Sequence, residues 1–157
     1  MKISTKQFVE IVGVCSVVLS LLVVAYQIQQ ANDIARVTTE IELRASYAGI
    51  NELFIENPEL RDVFANLDDP NRTFTEEEAS LFGSMTYRFL NVWVGMEVAY
   101  DEGMIGYESW SETLGNIRNM LENQTAGHQF WKATLSTGEY NPSRVVVQTA
   151  KMYLESD

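Results

Sequence analysis

The sequence predicts an all-α protein in which one N-terminal transmembrane helix continues into a small, irregular helical bundle. Three observations support this fold class. Residues 11–32 contain no formally charged side chain. Apolar residues further along the chain recur at three- and four-residue steps, and no stretch alternates cleanly with the period of two that a strand requires. We therefore predict two domains, a transmembrane anchor over residues 1–32 and an acidic helical domain over residues 33–157.

The anchor is the longest apolar segment of the chain. The stretch from Phe8 to Ile28 would form a helix about 32 Å long, close to the hydrocarbon thickness of a bilayer. Glu10 then falls near one interface and Tyr26 near the other, where its amphipathic ring is favoured. The segment therefore predicts a protein that crosses the membrane once.

A cleaved signal peptide is the alternative for the same segment. Lys2 and Lys6 precede the apolar run, and Val23-Val24-Ala25 is an acceptable cleavage pattern. We favour a retained anchor because the run is long and enters helix-compatible sequence without a turn signal. Lys and Arg flank the segment in equal numbers, so orientation is weakly specified. We expect the N terminus in the cytoplasm and the C-terminal domain outside, with the opposite arrangement left open.

Small residues form a stripe within the anchor. Gly13, Ser16 and Ser20 are spaced three and four residues apart and would share one helix face. Such a face allows another transmembrane helix to approach closely. Contact with another membrane protein or with a second copy is one hypothesis for this stripe, and ordinary lipid exposure is the other.

The helix is predicted to continue from the anchor to about Glu56. Ile34, Ile41, Ala48 and Ile55 recur every seven residues and form a partial heptad repeat. This face would suit either docking on the protein's own domain or a coiled coil with a second chain. We favour docking on the same chain.

Capping signals divide the remaining sequence into shorter helices. The signals are Asn57-Pro58, Thr75 with Glu78, Gly103, Thr125 and Asn141-Pro142. The helix that follows Thr75 is the best core candidate. Its apolar residues Phe82, Met85, Phe89, Val92, Trp93, Met96 and Ala99 follow the helical period.

Composition excludes several classes of function. The domain over residues 33–157 has nine basic and 21 acidic residues, a net charge of −12, so it would repel nucleic acid. The single cysteine, Cys15, lies in the apolar run, and the single histidine, His128, lies near a predicted helix start. One Cys and one His cannot complete a zinc ligand set. Because Cys15 lies in the predicted membrane segment, a Cys–His catalytic pair is geometrically implausible. We predict no enzymatic activity, no cofactor and no metal.

Aromatic residues provide the remaining candidate surface. Trp93, Trp110 and Trp131 fall on apolar helix faces, where core packing is their expected role. The alternative is an aromatic-lined groove for a ligand or a partner helix. Between two glycines, Met104, Ile105 and Tyr107 are predicted to form an exposed apolar loop that would add to this surface.

Short segments in a fixed order resemble a diffuse group of bacterial single-pass membrane proteins, functionally uncharacterised, with a small helical domain. The N-terminal apolar helix is followed by Glu56-Asn57-Pro58-Glu59-Leu60-Arg61, Glu102-Gly103-Met104-Ile105, Trp110, Phe130-Trp131 and Tyr140-Asn141-Pro142. The resemblance implies a bacterial inner-membrane location and an all-helical domain. It carries no catalytic residue.

Together these patterns favour a non-enzymatic, membrane-anchored interaction module. We expect it to act as an accessory subunit or scaffold of a membrane assembly, with the lipid bilayer and another polypeptide as partners. The alternative is an extracytoplasmic sensor or carrier, which predicts an enclosed apolar cavity lined by Trp93, Trp110 or Trp131. An enzyme that uses carboxylates alone is a third hypothesis and predicts two acidic side chains converging in a cleft.

Overall fold

A computed structural model describes residues 4–69, 71–123 and 125–155, and the regular secondary structure in this part of the chain is helical. Lys2 of the predicted signal-peptide pattern lies outside it. The described residues form α1 (Thr5–Glu56), α2 (Pro58–Ala65), α3 (Glu76–Asp101), α4 (Tyr107–Glu122), α5 (His128–Ser136) and α6 (Val145–Leu154). A single 3-10 turn, Thr125–Gly127, leads into α5. The predicted fold class, a long apolar helix followed by a small helical bundle, is confirmed.

The chain divides into two compact units, and the division falls between Thr38 and Thr39 within the single helix α1. In the first unit, every described side chain from Phe8 to Ile28 is exposed. The most apolar 18-residue window of α1 has a mean hydropathy of 2.6, and none of it is buried. By length and composition this helix can cross a membrane.

Local capping starts the second and third helices as the sequence predicts. The Asn57 side chain accepts a hydrogen bond from the Leu60 N–H, and Pro58 occupies the first turn of α2. Thr75 and Glu78 form a reciprocal capping box at the start of α3. The Thr75 backbone N–H, together with the Arg72 guanidinium, holds the pKa of the Glu78 carboxyl below its ordinary value.

Helix α3 ends at a glycine for a conformational reason. Gly103 has φ +68°, a left-handed conformation that glycine adopts without steric cost. The backbone N–H of Met104 reaches back to the Ala99 carbonyl at 2.7 Å, and that of Gly103 to the Tyr100 carbonyl at 2.9 Å. These bonds satisfy the last carbonyls of the helix in the pattern expected for a glycine stop.

The core of the second unit is built around α3 and is rich in aromatic rings. Trp93 and Trp131 stack with ring centroids 5.3 Å apart, and Phe82 meets Trp131 edge-on at 6.5 Å. All three side chains are fully buried. Gly127 fits closely here, because a Cβ at that position would lie 2.7 Å from the Phe82 ring. The 3-10 turn can pack on the Phe82 ring only if position 127 carries no side chain.

The last helix begins three residues later than its sequence signal suggests. Asn141-Pro142 was expected to start it, but Asn141 instead forms a turn in which its side chain accepts from the Ser143 N–H. Helix α6 begins at Val145 and receives its cap from another helix. The Glu97 carboxylate of α3 accepts the backbone N–H groups of Val145 and Val146, each at 2.9 Å.

Candidate functional site

In the apolar part of α1, the serine hydroxyls form hydrogen bonds with carbonyl groups of the same helix. The Ser16 hydroxyl donates to the Val12 carbonyl, and the Ser20 hydroxyl donates to the Ser16 carbonyl, each at 2.8 Å. Gly13 leaves open space where a Cβ would stand. A surface with its hydroxyls bonded in this way can face lipid or another helix. The role of the stripe formed by Gly13, Ser16 and Ser20 remains a prediction.

The part of the seven-residue repeat that lies in the second unit does not dock on that unit, so the expected docking through this face is wrong there. Ile34, Ile41 and Ile55 are 60%, 61% and 72% exposed, and Ala48 is also exposed. A different stripe of α1 packs on the core of the second unit and consists of Leu43, Tyr47, Ile50, Leu53 and Phe54. This second stripe contains two aromatic rings, those of Tyr47 and Phe54. Phe54, for example, meets Phe64 of α2 edge-on at 4.7 Å.

The three tryptophans lie in the core, as the packing interpretation predicts. Trp93 and Trp131 are 0% exposed, and Trp110 is 5% exposed and stacks on Tyr100 at 5.7 Å. They therefore cannot form an exposed partner surface, and that part of the expectation is wrong. Of the three, Trp93 borders a cavity, and that cavity is open and partly polar. It differs from the enclosed apolar cavity expected of a carrier.

The loop between α3 and α4 exposes only part of its predicted apolar patch. Tyr107 is 70% exposed, Met104 is half-buried and Ile105 is 6% exposed. Ile105 was expected on the surface, but the glycine stop of α3 turns the chain back so that the Ile105 N–H bonds to the Ala99 carbonyl. Its side chain then joins the core. Tyr107 and Met104 remain candidate contact residues.

A groove lies between α1 and α4 in the second unit. It consists of two adjoining cavities of about 320 and 670 Å³, which share Tyr47, Asn51 and Asn116. Glu40 and Ser109 border the first cavity only. Phe54 and Asn123 border the second. On both helices the residue numbers increase from the first cavity to the second. Helices α1 and α4 therefore run in the same direction on either side of the groove.

Two polar atoms lie buried beneath this groove, the Tyr47 hydroxyl and the indole Nε1 of Trp93. The Tyr47 hydroxyl and the indole Nε1 of Trp93 are inaccessible to solvent, and neither has a partner at hydrogen-bonding geometry. Burial raises the pKa of the Tyr47 hydroxyl, and the nearby side chains of Thr113, Asn116 and Trp93 offset only part of this effect. The hydroxyl is therefore protonated at neutral pH, and both groups can donate a hydrogen bond.

Charged residues lie at the ends of the groove. At one end, Arg44 pairs with Glu40 at 2.9 Å, and Glu112 lies nearby. Asp68 borders the other end. The shared middle section, with Tyr47, Asn51 and Asn116, carries no formal charge. The groove is thus neutral at its centre and acidic at both ends.

Two side chains weighed for chemical roles in the sequence, His128 and Asp101, make contacts between helices. Within residues 4–69, 71–123 and 125–155, no group of three or more His, Cys, Asp or Glu side chains could hold a metal ion. His128 is buried at the start of α5, and its Nε2 donates to the Leu121 carbonyl at 2.7 Å. The Asp101 carboxylate instead pairs with Arg144 at 3.2 Å. His128 thus links α5 to α4, and Asp101 links α3 to the start of α6.

Comparison of the chain with family models, with curated proteins and with solved structures finds no match. Sequence reasoning missed the groove, although a signal was present. Asn116 and Asn119 of α4 and its C-cap residue Asn123 recur at helical spacing, apart from the buried residues Trp110, Ile117 and Leu121 of that helix.

Proposed function

We propose that this chain is a non-enzymatic, single-pass protein of the bacterial inner membrane that acts by contact with another polypeptide. In this proposal, α1 retains the protein in the bilayer, and the acidic helical domain serves as an accessory subunit or scaffold. The domain lies on the extracytoplasmic side. The partner is another membrane protein or a second copy of the chain.

The exposed apolar segment of α1 is the observation that carries this proposal. Fourteen large apolar side chains between Phe8 and Ile28 are each about half exposed or more. Burying one such side chain contributes about 1.5–3 kcal/mol. A helix that exposes so many of them in succession is unstable in water and stable in a bilayer.

The exposed seven-residue repeat supports a role in association. Ile41 and Ile55, both in the second unit, lie on an apolar seam that this unit does not cover. Aliphatic side chains at heptad spacing pack against a second helix as knobs into holes. A partner helix on this seam would remove these isoleucines from water.

Native mass measurement after gentle detergent extraction tests the proposal. We expect the full-length chain to migrate as an assembly heavier than the monomer. Replacing Ile41 by glutamate should weaken that assembly by about tenfold or more, because a charge in an apolar seam is left unpaired or faces its own copy. Met152→Glu is the matched control, since Met152 is similarly exposed but lies on α6.

Two results would count against this function. A strict monomer with no co-extracted protein would remove the association role. An assembly that Ile41→Glu and Met152→Glu weaken equally would place the contact elsewhere than the α1 seam.

A further inference from the structure

We propose that two copies of this chain associate in parallel through one face of α1, which includes both the small-residue stripe of the anchor and the seven-residue repeat that follows it. This pairing rests on the proposed function and names the partner as a second copy of the chain. The face is defined by the sequence register of α1 and by the exposure of its side chains in each unit.

The stripe and the repeat belong to a single heptad register. Counting back from Ile55 in steps of seven gives the first seam positions, which are Gly13, Ser20, Gln27, Ile34, Ile41, Ala48 and Ile55. The second seam positions lie three residues after the first ones and are Ser16, Val23, Gln30, Val37, Arg44 and Asn51. No insertion interrupts the count, and α1 is one helix from Thr5 to Glu56. A sustained seven-residue repeat is the spacing at which two helices wind around each other with a left-handed twist.

Each unit leaves its own seam positions exposed. In the first unit, the eight seam positions from Gly13 to Val37 are all exposed. In the second unit, the five from Ile41 to Ile55 are exposed as well, because this unit packs on a different stripe of α1. The seam positions are therefore available to a second helix.

Within the predicted membrane segment, the seam contains the residues that suit helix contact. Every glycine, serine and glutamine between Ile11 and Ile28 lies at a seam position, and the other positions hold aliphatic residues, Cys15 and Tyr26. Small residues let two backbones approach closely, and left-handed crossings like those of coiled coils are the usual arrangement of membrane helices. The segment thus has a lipid-facing side of large apolar residues and a contact side of small and polar ones.

The polar seam residues fit a partner with the same sequence. Copies inserted by the same anchor have the same orientation, so their α1 helices are parallel and equal positions face each other. Gln27 and Gln30 then meet their own counterparts. A carboxamide is self-complementary, because it offers both a donor and an acceptor. Polar residues within a seam also fix the register in which two helices pair.

The distribution of charge favours a second copy over a basic partner. Five acidic residues lie between Asp33 and Glu56 of α1, and none of them occupies a seam position. The one charged residue among the thirteen seam positions is Arg44, which pairs with Glu40 of its own helix at 2.9 Å. Two acidic copies can therefore meet along this face without opposing carboxylates, whereas a basic helix would find no carboxylate at the seam positions.

Cysteine cross-linking in native membranes tests the pairing position by position. The full-length chain carries Cys15→Ala, which removes its only thiol, and receives one new cysteine at a time. Ile34→Cys and Ile41→Cys lie in the seam, and Ala35→Cys and Glu42→Cys lie one residue further on, away from it. With copper phenanthroline as the oxidant, we expect the seam variants to form a disulfide-linked dimer in about fivefold higher yield than their neighbours, because only facing seam positions bring two Cβ atoms close enough.

A substitution in the stripe tests whether the stripe and the repeat form one contact. Gly13→Leu should lower the dimer yield of Ile41→Cys by about threefold or more, because a bulky side chain prevents close approach of the helices. Position 13 has open space around it in the single chain, so the helix itself can accept leucine. Val18→Leu is the matched control, since Val18 is exposed in the same unit but lies off the seam, and it should leave the yield unchanged.

Two cross-linking results would overturn the pairing. One is an equal dimer yield at seam positions and at their neighbours, and the other is an equal yield in the Gly13→Leu and Val18→Leu chains. Native mass separates this failure from failure of the proposed function. An assembly of one copy of this chain with a different polypeptide would support the proposed function and contradict the pairing, whereas a strict monomer would contradict the function itself.

Discussion

Replacing Glu97 by alanine is expected to lower the free energy of unfolding by about 3–5 kcal/mol. Glu97 is 4% exposed, and its two carboxylate oxygens accept the N–H groups of Val145 and Val146. Arg144, which lies at the cap position of α6, makes no side-chain cap bond of its own. Alanine would leave two backbone donors at the start of α6 without partners and would remove one of the two carboxylates that contact Arg144.

Urea unfolding followed by tryptophan fluorescence in a mild detergent measures this effect. Asp101→Ala is the matched control, because Asp101 contacts the same Arg144 at 3.2 Å but is mostly exposed. That variant should change the free energy of unfolding by less than about 1 kcal/mol. A Glu97→Ala protein as stable as Asp101→Ala would show that α6 does not depend on the carboxylate of α3.

Replacing Trp131 by alanine is expected to destabilise the second unit by about 3–5 kcal/mol. The indole is fully buried and stacks on Trp93 at 5.3 Å, with Phe82 and Phe89 within 6.5 Å. Alanine would leave a large cavity in the middle of the aromatic core. Trp131→Phe should cost much less, since it keeps a ring and removes an indole N–H that has no partner.

The same urea titration compares these variants with Tyr107→Ala, which removes a large aromatic side chain at an exposed position. Tyr107→Ala should lie within about 0.5 kcal/mol of the parent. If Trp131→Ala and Tyr107→Ala were equally stable, the stacked tryptophans would not form the centre of the core.

Helix ends were predictable wherever the signal is local. Asn57-Pro58, the Thr75–Glu78 box and Gly103 act through bonds to backbone groups within a few residues, so the sequence contains all the information needed. The start of α6 was not predictable in this way. Its cap comes from Glu97, 48 residues earlier in the chain, and no local pattern announces such a partner.

The docking face of α1 shows a similar limit. Periodicity identified Ile34, Ile41 and Ile55 as an apolar face, and that face exists, but the bundle packs on Tyr47, Ile50 and Phe54. Apolar residues can recur at helical spacing on two different faces of one helix. Which of them is buried depends on the shape and aromatic content of the surface that meets it, and that surface is assembled from distant parts of the chain.

The sequence shows which polar residues α4 contributes to the groove, but it does not show that a groove forms. The asparagines of α4 are visible as a polar stripe, but their position opposite Tyr47 and Asn51 depends on how far apart α1 and α4 stand. Trp93 was correctly assigned to the core by its apolar neighbours. Its unpartnered Nε1 is a property of the packed structure, because hydrogen-bond satisfaction depends on neighbours that sequence spacing does not specify.

Retention of the intact N-terminal helix in the bilayer is the central claim, and one measurement tests it most directly. A chain with a C-terminal tag is expressed in bacteria, membranes are washed with alkaline carbonate, and the intact mass of the tagged protein is determined in the pellet and the supernatant. We expect the pellet to contain the protein with the segment from Phe8 to Ile28 still attached. A shorter protein that begins near Tyr26 and appears in the supernatant would contradict the account.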